Sequence, residues 1–234
     1  MVADALAKTR SEARGLILAG RVLVDDVPVE KCGARVLAEA RVRVRGGRRF
    51  VSRGGEKLAS ALDVLAVDPT GLSCLDVGAS TGGFTDCLLQ AGASRVLAVD
   101  VGYGQLDFGL RNDARVHVLE RTNARHLVAE QIPWPIDLVV MDVSFISARL
   151  LLPKIHKLVP RAQWLVMVKP QFELERESVG KGGVVRDDAL RDEAVDRVAR
   201  AAHALELVER GRAQSGLPGP KGNREVFLWL APAA

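Results

Sequence analysis

The sequence predicts an α/β protein: a mostly parallel seven-stranded sheet, preceded by a small α+β unit. Three observations carry this expectation. From residue 51 onward, apolar runs of strand length alternate with helix-length segments, the pattern of a parallel sheet. Two of those runs, Leu138 to Met141 and Trp164 to Val168, are apolar throughout, as strands covered on both faces are. The first 50 residues break that rhythm with one helix and several short alternating segments.

Taken in order, the N-terminal part reads as a helix through Arg14 and Leu16 to Leu18, capped by Ser11 and closed by Gly20. Strands are expected over 21–24, 27–30 and 41–45, with a turn at Asp25–Asp26. In Arg41-Val42-Arg43-Val44-Arg45 the period is two, so the valines face inward and the arginines outward. Beyond it the expected strands are 73–78, 95–100, 116–121, 137–143 and 162–170, with helices near 54–65, 83–91, 147–158 and 187–203. Residues 205–212 and 225–230 flank a Gly/Pro loop and read as a hairpin that adds an antiparallel strand to the sheet. Two domains follow, 1–50 and 51–234.

The chain has 234 residues, 48% of them hydrophobic but only 4% aromatic, so the core must be built mostly from Leu, Val and Ala. Cys32, Cys74 and Cys87 are far apart, no Cys-x-x-Cys exists, and the four histidines do not cluster, so neither a metal site nor a disulfide framework is expected. Free thiols point to a reducing cytoplasm. No apolar run approaches the roughly 20 residues that span a bilayer, and no membrane partner is expected. The net charge is +4, but Arg41, Arg43, Arg45, Arg48, Arg49, Arg53 and Lys57 form a stripe opposed only by Glu56. Such a stripe, mostly arginine, suits the phosphates of a polyanion.

The run Cys-Leu-Asp-Val-Gly-Ala-Ser-Thr-Gly-Gly-Phe-Thr (74–85) is a strand, a small-residue loop and a helix start. Asp100, at the tip of the next strand, is where a Rossmann-type sheet sets a carboxylate against a ribose. A dinucleotide site has Gly-x-Gly-x-x-Gly; here Ser80 replaces the middle glycine, which lets a backbone approach a pyrophosphate. A nucleoside cofactor without phosphates is therefore expected, and S-adenosylmethionine fits. Asp76, Gly78, Ser80, Gly82, Gly83 and Asp142 are the candidate contacts, Phe84 is either a contact or core, and Asn123 either reads the adenine edge or caps a helix; Ser144 to Ser147, beside Asp142, are candidate lining of a substrate pocket.

Four charged residues fall at strand ends or at a helix start, where burial is costly unless they pair. They are Lys57, Asp142, Lys169 and Glu225. Together they resemble the Lys-Asp-Lys-Glu tetrad of the FtsJ/RrmJ-type ribose 2′-O-methyltransferases. The blocks Val-Ser-Arg-Gly-Gly-Glu-Lys-Leu (51–58), Met-Asp-Val-Ser-Phe-Ile-Ser (141–147), Val-Lys-Pro-Gln-Phe-Glu (168–173) and Gly-Pro-Lys-Gly-Asn-Arg-Glu (219–225) are similar, with the 76–85 loop, to the TlyA (hemolysin A) family. The stretch from Thr9 to Val29 resembles an S4-type RNA-binding module.

The resemblance implies a class I S-adenosylmethionine-dependent methyltransferase fold with an N-terminal S4-like α+β domain. It implies methylation of a cytidine 2′-hydroxyl in ribosomal RNA, with 23S RNA as the first expectation and 16S RNA left open. A short N-terminus is similar to members that act on the large subunit. Arg10, Arg14, Arg21, Arg41, Arg43, Arg45, Arg49 and Arg53 become candidate RNA contacts, and Lys181, in a Gly-rich loop, a candidate phosphate contact. A ribose hydroxyl is a poor nucleophile, so a base must take its proton, and Lys169 is that candidate. Working near neutrality asks for roughly 4 kcal/mol from the lysine's surroundings. Two other classes remain in view: a membrane-lytic protein, disfavoured by the lack of spanning or cationic amphipathic segments, and an RNA-binding protein without catalysis, disfavoured by the intact tetrad. An NAD-dependent oxidoreductase fails on the missing glycine.

Overall fold

The computed structural model describes residues 6–7, 9–45, 49–180, 182–219 and 221–233; Arg48 and Lys181 lie outside them. It divides into two compact units, Met1–Arg49 and Phe50–Ala234.

In the first unit, helix α1 spans Arg10–Leu18. Its cap is Thr9, not Ser11: the Thr9 hydroxyl accepts from the Glu12 N–H at 3.1 Å, while Ser11 already lies in the first turn. At the other end Gly20 and Arg21 donate to the carbonyls of Ile17 and Leu16, the paired closure of a left-handed cap. Strands β1 (Val22–Val24), β2 (Val27–Pro28) and β3 (Val42–Val44) form an antiparallel sheet in the order β2-β1-β3. Asp25 and Asp26, with φ of 48° and 68°, make the tight turn between β1 and β2, a turn that needs two left-handed residues.

The second unit runs α2 (Arg53–Leu65), β4 (Ser73–Val77), α3 (Gly83–Gln90), β5 (Arg95–Val99), α4 (Phe108–Arg111), β6 (Val116–Leu119) and β7 (Leu138–Met141). It continues through α5 (Leu152–His156), β8 (Gln163–Val168), α6 (Pro170–Glu173), α7 (Asp188–His203), β9 (Leu207–Gln214) and β10 (Val226–Pro232). Its seven strands lie in the order β6-β5-β4-β7-β8-β10-β9. All neighbours are parallel except β10, which is antiparallel to both β8 and β9. Successive residues of the central strands face opposite sides. Leu75, Val77, Val139 and Val166 pack with α5 and α7; Cys74, Leu138, Val140 and Leu165 pack with α2 and α3.

Two expectations are corrected. The single helix over 147–158 is a 3-10 turn, Ala148–Leu150, followed by the shorter α5, which carries Pro153 in its first turn, where a missing N–H costs nothing. The short α4 and α6 had no counterpart in the sequence reading, since four residues are too few to show a period. The chain winds from β4 outward to β6, then returns to β7 on the other side of β4. The crevice beyond the carboxyl ends of β4 and β7 is therefore the switch point at which open α/β sheets hold ligands.

Candidate active site

The start of α2 sets the first wall. Ser52 caps the helix, accepting from the Gly54 N–H at 3.3 Å. Gly55 packs so tightly on Phe50 that a Cβ would collide with that ring. Lys57 follows in the first turns and points inward, only 6% exposed. It pairs with Glu225, 1% exposed, which leads into β10. On the other side, Asp142 follows β7 and Lys169 follows β8, side by side because those strands are paired. The Lys169 ammonium lies 2.5 Å from Asp142 Oδ1 and donates to the Ser144 hydroxyl at 2.7 Å.

These two pairs, Lys57–Glu225 and Lys169–Asp142, line one cleft of about 530 Å³. Gly78, Ala79, Ser80, Thr81, Gly83 and Phe84 form its floor. Gly78 has φ of 90°, and a Cβ there would strike the Asp142 carbonyl oxygen, so this glycine lets the loop after β4 touch the strand end that carries Asp142. Phe84 is both core and lining, with its ring centroid 5.9 Å from that of Phe227.

The remaining expected cofactor residues, Asp76, Gly82, Asp100 and Asn123, are not among the residues that line this cleft. Asp76 is fully buried inside β4, where its Oδ2 accepts from the Thr85 hydroxyl at 2.7 Å and its Oδ1 has no hydrogen-bond partner among the described residues. Burial pushes its carboxyl up to about 7, and the nearby Asp142 and Asp100 charges add to this, while the Thr85 bond opposes it. Gly82 lies behind the floor against Leu106 and Leu110. Asp100 accepts from the Ser80 N–H at 2.8 Å and the Gly102 N–H at 2.6 Å, so its carboxylate ties the tip of β5 to the loop. Asn123 caps a 3-10 turn, accepting from the Arg125 N–H at 3.0 Å, which is the capping alternative of the sequence reading.

Of the expected RNA contacts, Arg10, Arg14, Arg41, Arg43, Arg45, Arg49 and Arg53 are exposed, and Arg53 also lines the cleft. Arg21 is partly buried and its Nε donates to the Arg45 carbonyl at 3.2 Å. The stripe is not opposed by Glu56 alone. Arg43 binds Asp26 at 2.5 Å, because β1 pairs with both β2 and β3 and so brings the acidic turn beside Arg43.

Asn223 and Glu173 had no role in the sequence reading, whereas Phe145 belongs to the stretch 144–147 expected to line a substrate pocket, and Ser144 and Phe145 do line the cleft. Phe145 is 92% exposed at φ of 65°, its ring centroid 5.5 Å from that of Phe172. Asn223 is 3% exposed; its Oδ1 accepts from the Val185 N–H at 2.9 Å and its Nδ2 donates to the Gly183 carbonyl at 2.7 Å, tying two cleft walls together. Glu173 is equally buried. The only sequence signal for Glu173 and Asn223 was membership of the blocks around Lys169 and Glu225; Phe145 lies in the block around Asp142.

Comparison with known proteins bears on this geometry. The FtsJ-like methyltransferase model matches residues 50–231, a span that contains all four tetrad residues. The chain belongs to the FtsJ-like methyltransferase family. An S4 domain model matches residues 5–42 and so ends at the edge of β3, leaving Arg43, Arg45, Arg49 and Arg53 beyond it. The 16S/23S rRNA (cytidine-2′-O)-methyltransferase TlyA of Mycobacterium tuberculosis is 49% identical over 98% of this chain and 87% of its own length. Hemolysin A of Brachyspira hyodysenteriae is 40% identical over 94% of this chain and 92% of its own. A solved structure from Streptococcus thermophilus, described as a hemolysin, superposes with a TM-score of 0.77 at 35% identity, covering 99% of this chain and 86% of that one. Relatives of this chain thus carry names for methylation and for hemolysis. Among the described residues, no helix is long and apolar enough to cross a membrane.

Proposed function

We propose that the chain transfers the methyl group of S-adenosylmethionine to the ribose 2′-hydroxyl of a cytidine in ribosomal RNA. In this reading residues 51–234 are the catalytic domain, residues 1–50 bind RNA, and the protein works in the cytoplasm. The observation that carries the reading is the convergence of two lysine–carboxylate pairs on one cleft at the switch point of the sheet. The matching activity in the name of the Mycobacterium tuberculosis relative supports it.

The residues present suit the cofactor. The loop from Gly78 to Thr81, with Gly83, offers backbone rather than bulky side chains, and Asp100, which accepts from the Ser80 N–H of that loop, is the carboxylate we assign to a ribose diol. S-adenosylmethionine supplies an electrophilic methyl on a sulfonium. In-line displacement needs the acceptor oxygen held on the far side of that methyl, and alignment contributes roughly 7–11 kcal/mol. Lys169, after releasing one ammonium proton to solvent, takes the proton of the 2′-hydroxyl on its neutral Nζ as that oxygen accepts the methyl group. Asp142 and Ser144 hold the lysine's nitrogen from two directions. Lys57 and Glu225, each other's partner, position the sugar from the opposite wall. Phe145, with Phe172 beneath, offers an exposed ring on which an unpaired base can stack.

The test is methyl transfer from tritiated cofactor to ribosomal subunits by Lys169→Arg and Lys169→Met. Loss of a positioned base costs about 100-fold or more in kcat, with cofactor affinity by calorimetry within a few-fold of the parent. Near-normal turnover by Lys169→Arg, which keeps the charge but cannot act as the base, overturns the assignment.

A further inference from the structure

We propose that Glu173 is a positioning residue for methyl transfer: its buried carboxylate ties the loop carrying Asp142, Ser144 and Phe145 to the segment carrying Lys169. The inference rests on the catalytic reading of Asp142 and Lys169 given above.

Glu173 ends α6, four residues after Lys169, and is 3% exposed. Its two oxygens receive three donors from residues 147–149, in the segment after β7. Ser147 Oγ donates at 2.5 Å and Arg149 Nε at 3.1 Å to Oε2, and the Ala148 N–H donates at 2.7 Å to Oε1. The Glu173 backbone carbonyl accepts from Arg149 Nη2 and from Arg197 Nη1 of α7, both at 3.4 Å. Arg197 is itself paired with Glu193 and Glu175, so Arg149 is the cation that answers the Glu173 carboxylate.

The strands alone do not fix this loop. The β7–β8 ladder pairs Met141 with Val166, and the Asp142 N–H is held by the Val77 carbonyl at 2.9 Å. The loop then runs through Phe145, which is left-handed and faces solvent, to Ser147, where Glu173 takes hold. Ser144 sits midway along that span and is the hydroxyl to which Lys169 donates. Releasing the far anchor lets Ser144 and Phe145 drift, and Lys169 loses the partner that aims its nitrogen. A displacement of one reactive atom by about 1 Å is enough to cost about 100-fold. A buried carboxylate is an expensive anchor in an apolar wall, and burial raises its proton affinity against the lowering effect of its three donors.

The experiment uses the full chain, tritiated S-adenosylmethionine and ribosomal subunits lacking the modification. Glu173→Gln keeps the shape but turns an NH₂ toward donors, breaking one arm of the anchor. We expect kcat to fall tenfold or more, with KM for cofactor and for subunits within twofold. Ser147→Ala, which removes one donor and leaves the carboxylate, gives a smaller fall in the same parameter, and it carries the test if Glu173→Gln does not fold. Adding Ser147→Ala to Glu173→Gln costs little more, as members of one unit do. A lowered melting temperature with unchanged kcat per folded molecule in Glu173→Gln, or in Ser147→Ala where only that variant folds, overturns the inference. Lys169→Met run in parallel separates the two claims. If it keeps its turnover, the catalytic reading fails; if it is inactive while Glu173→Gln turns over normally, only the role of Glu173 fails.

Discussion

Replacing Lys57 with methionine tests what the buried Lys57–Glu225 pair is for. The pair is almost wholly out of water, with Lys57 6% and Glu225 1% exposed. Desolvating two charges offsets much of their attraction, so such a pair adds little net stability, yet breaking it leaves a bare buried charge at a cost of about 3–5 kcal/mol. Lys57→Met strands Glu225 in this way. For a domain the size of residues 50–234, each kcal/mol lowers the melting temperature by about 2–4 °C, so the expected drop is roughly 6–20 °C. Adding Glu225→Leu removes the stranded charge and should recover most of that loss, while methyl transfer stays absent. Urea unfolding followed by circular dichroism gives the stabilities, and tritium transfer gives the activity. Two results refute the reasoning: Lys57→Met within about 1 kcal/mol of the parent, or a doubly substituted protein that still methylates RNA.

Asp76→Asn should flatten the pH dependence of stability. A carboxyl at about 7 in the folded protein, against 3.8 ordinarily, stabilises the fold below pH 4 relative to higher pH, and that advantage disappears as pH rises through 7. The parent therefore loses up to roughly 4 kcal/mol between pH 4 and 8 that the variant keeps, which melting curves at the two pH values will show. Gly78→Ala should abolish cofactor binding in calorimetry or prevent folding, because the new methyl meets the Asp142 carbonyl at a left-handed position. Phe145→Ala should weaken RNA substrate by about 1–3 kcal/mol in KM while the melting temperature stays the same, since the ring is exposed.

The large domain was legible because its signals are strong and local. Apolar runs marked β7 and β8, and the terminal Gly/Pro loop marked the β9–β10 hairpin. The tetrad was legible because charge at the end of a buried strand demands a partner, although the sequence could not say which lysine meets which acid. The sheet order alone does not decide that, because β8 lies between β7 and β10 and so sets Lys169 beside both acids; α2 decides it, bringing Lys57 to Glu225 and leaving Lys169 to Asp142. What stayed hidden depends on contacts between distant segments. Glu173 and Asn223 carry no pattern of their own; only folding reveals that one receives donors from residues 147–149 and the other from Val185. Asp26 looked like a turn residue until β1 paired with β3 and brought Arg43 to it.

The central claim is that the two lysine–carboxylate pairs direct a methyl group to a sugar oxygen. It is tested most directly by digesting methylated ribosomal RNA to nucleosides and locating the label by mass spectrometry. The account predicts the label in 2′-O-methylcytidine with the parent protein and none with Lys169→Met. Label on a base, or equal labelling by both proteins, would contradict it.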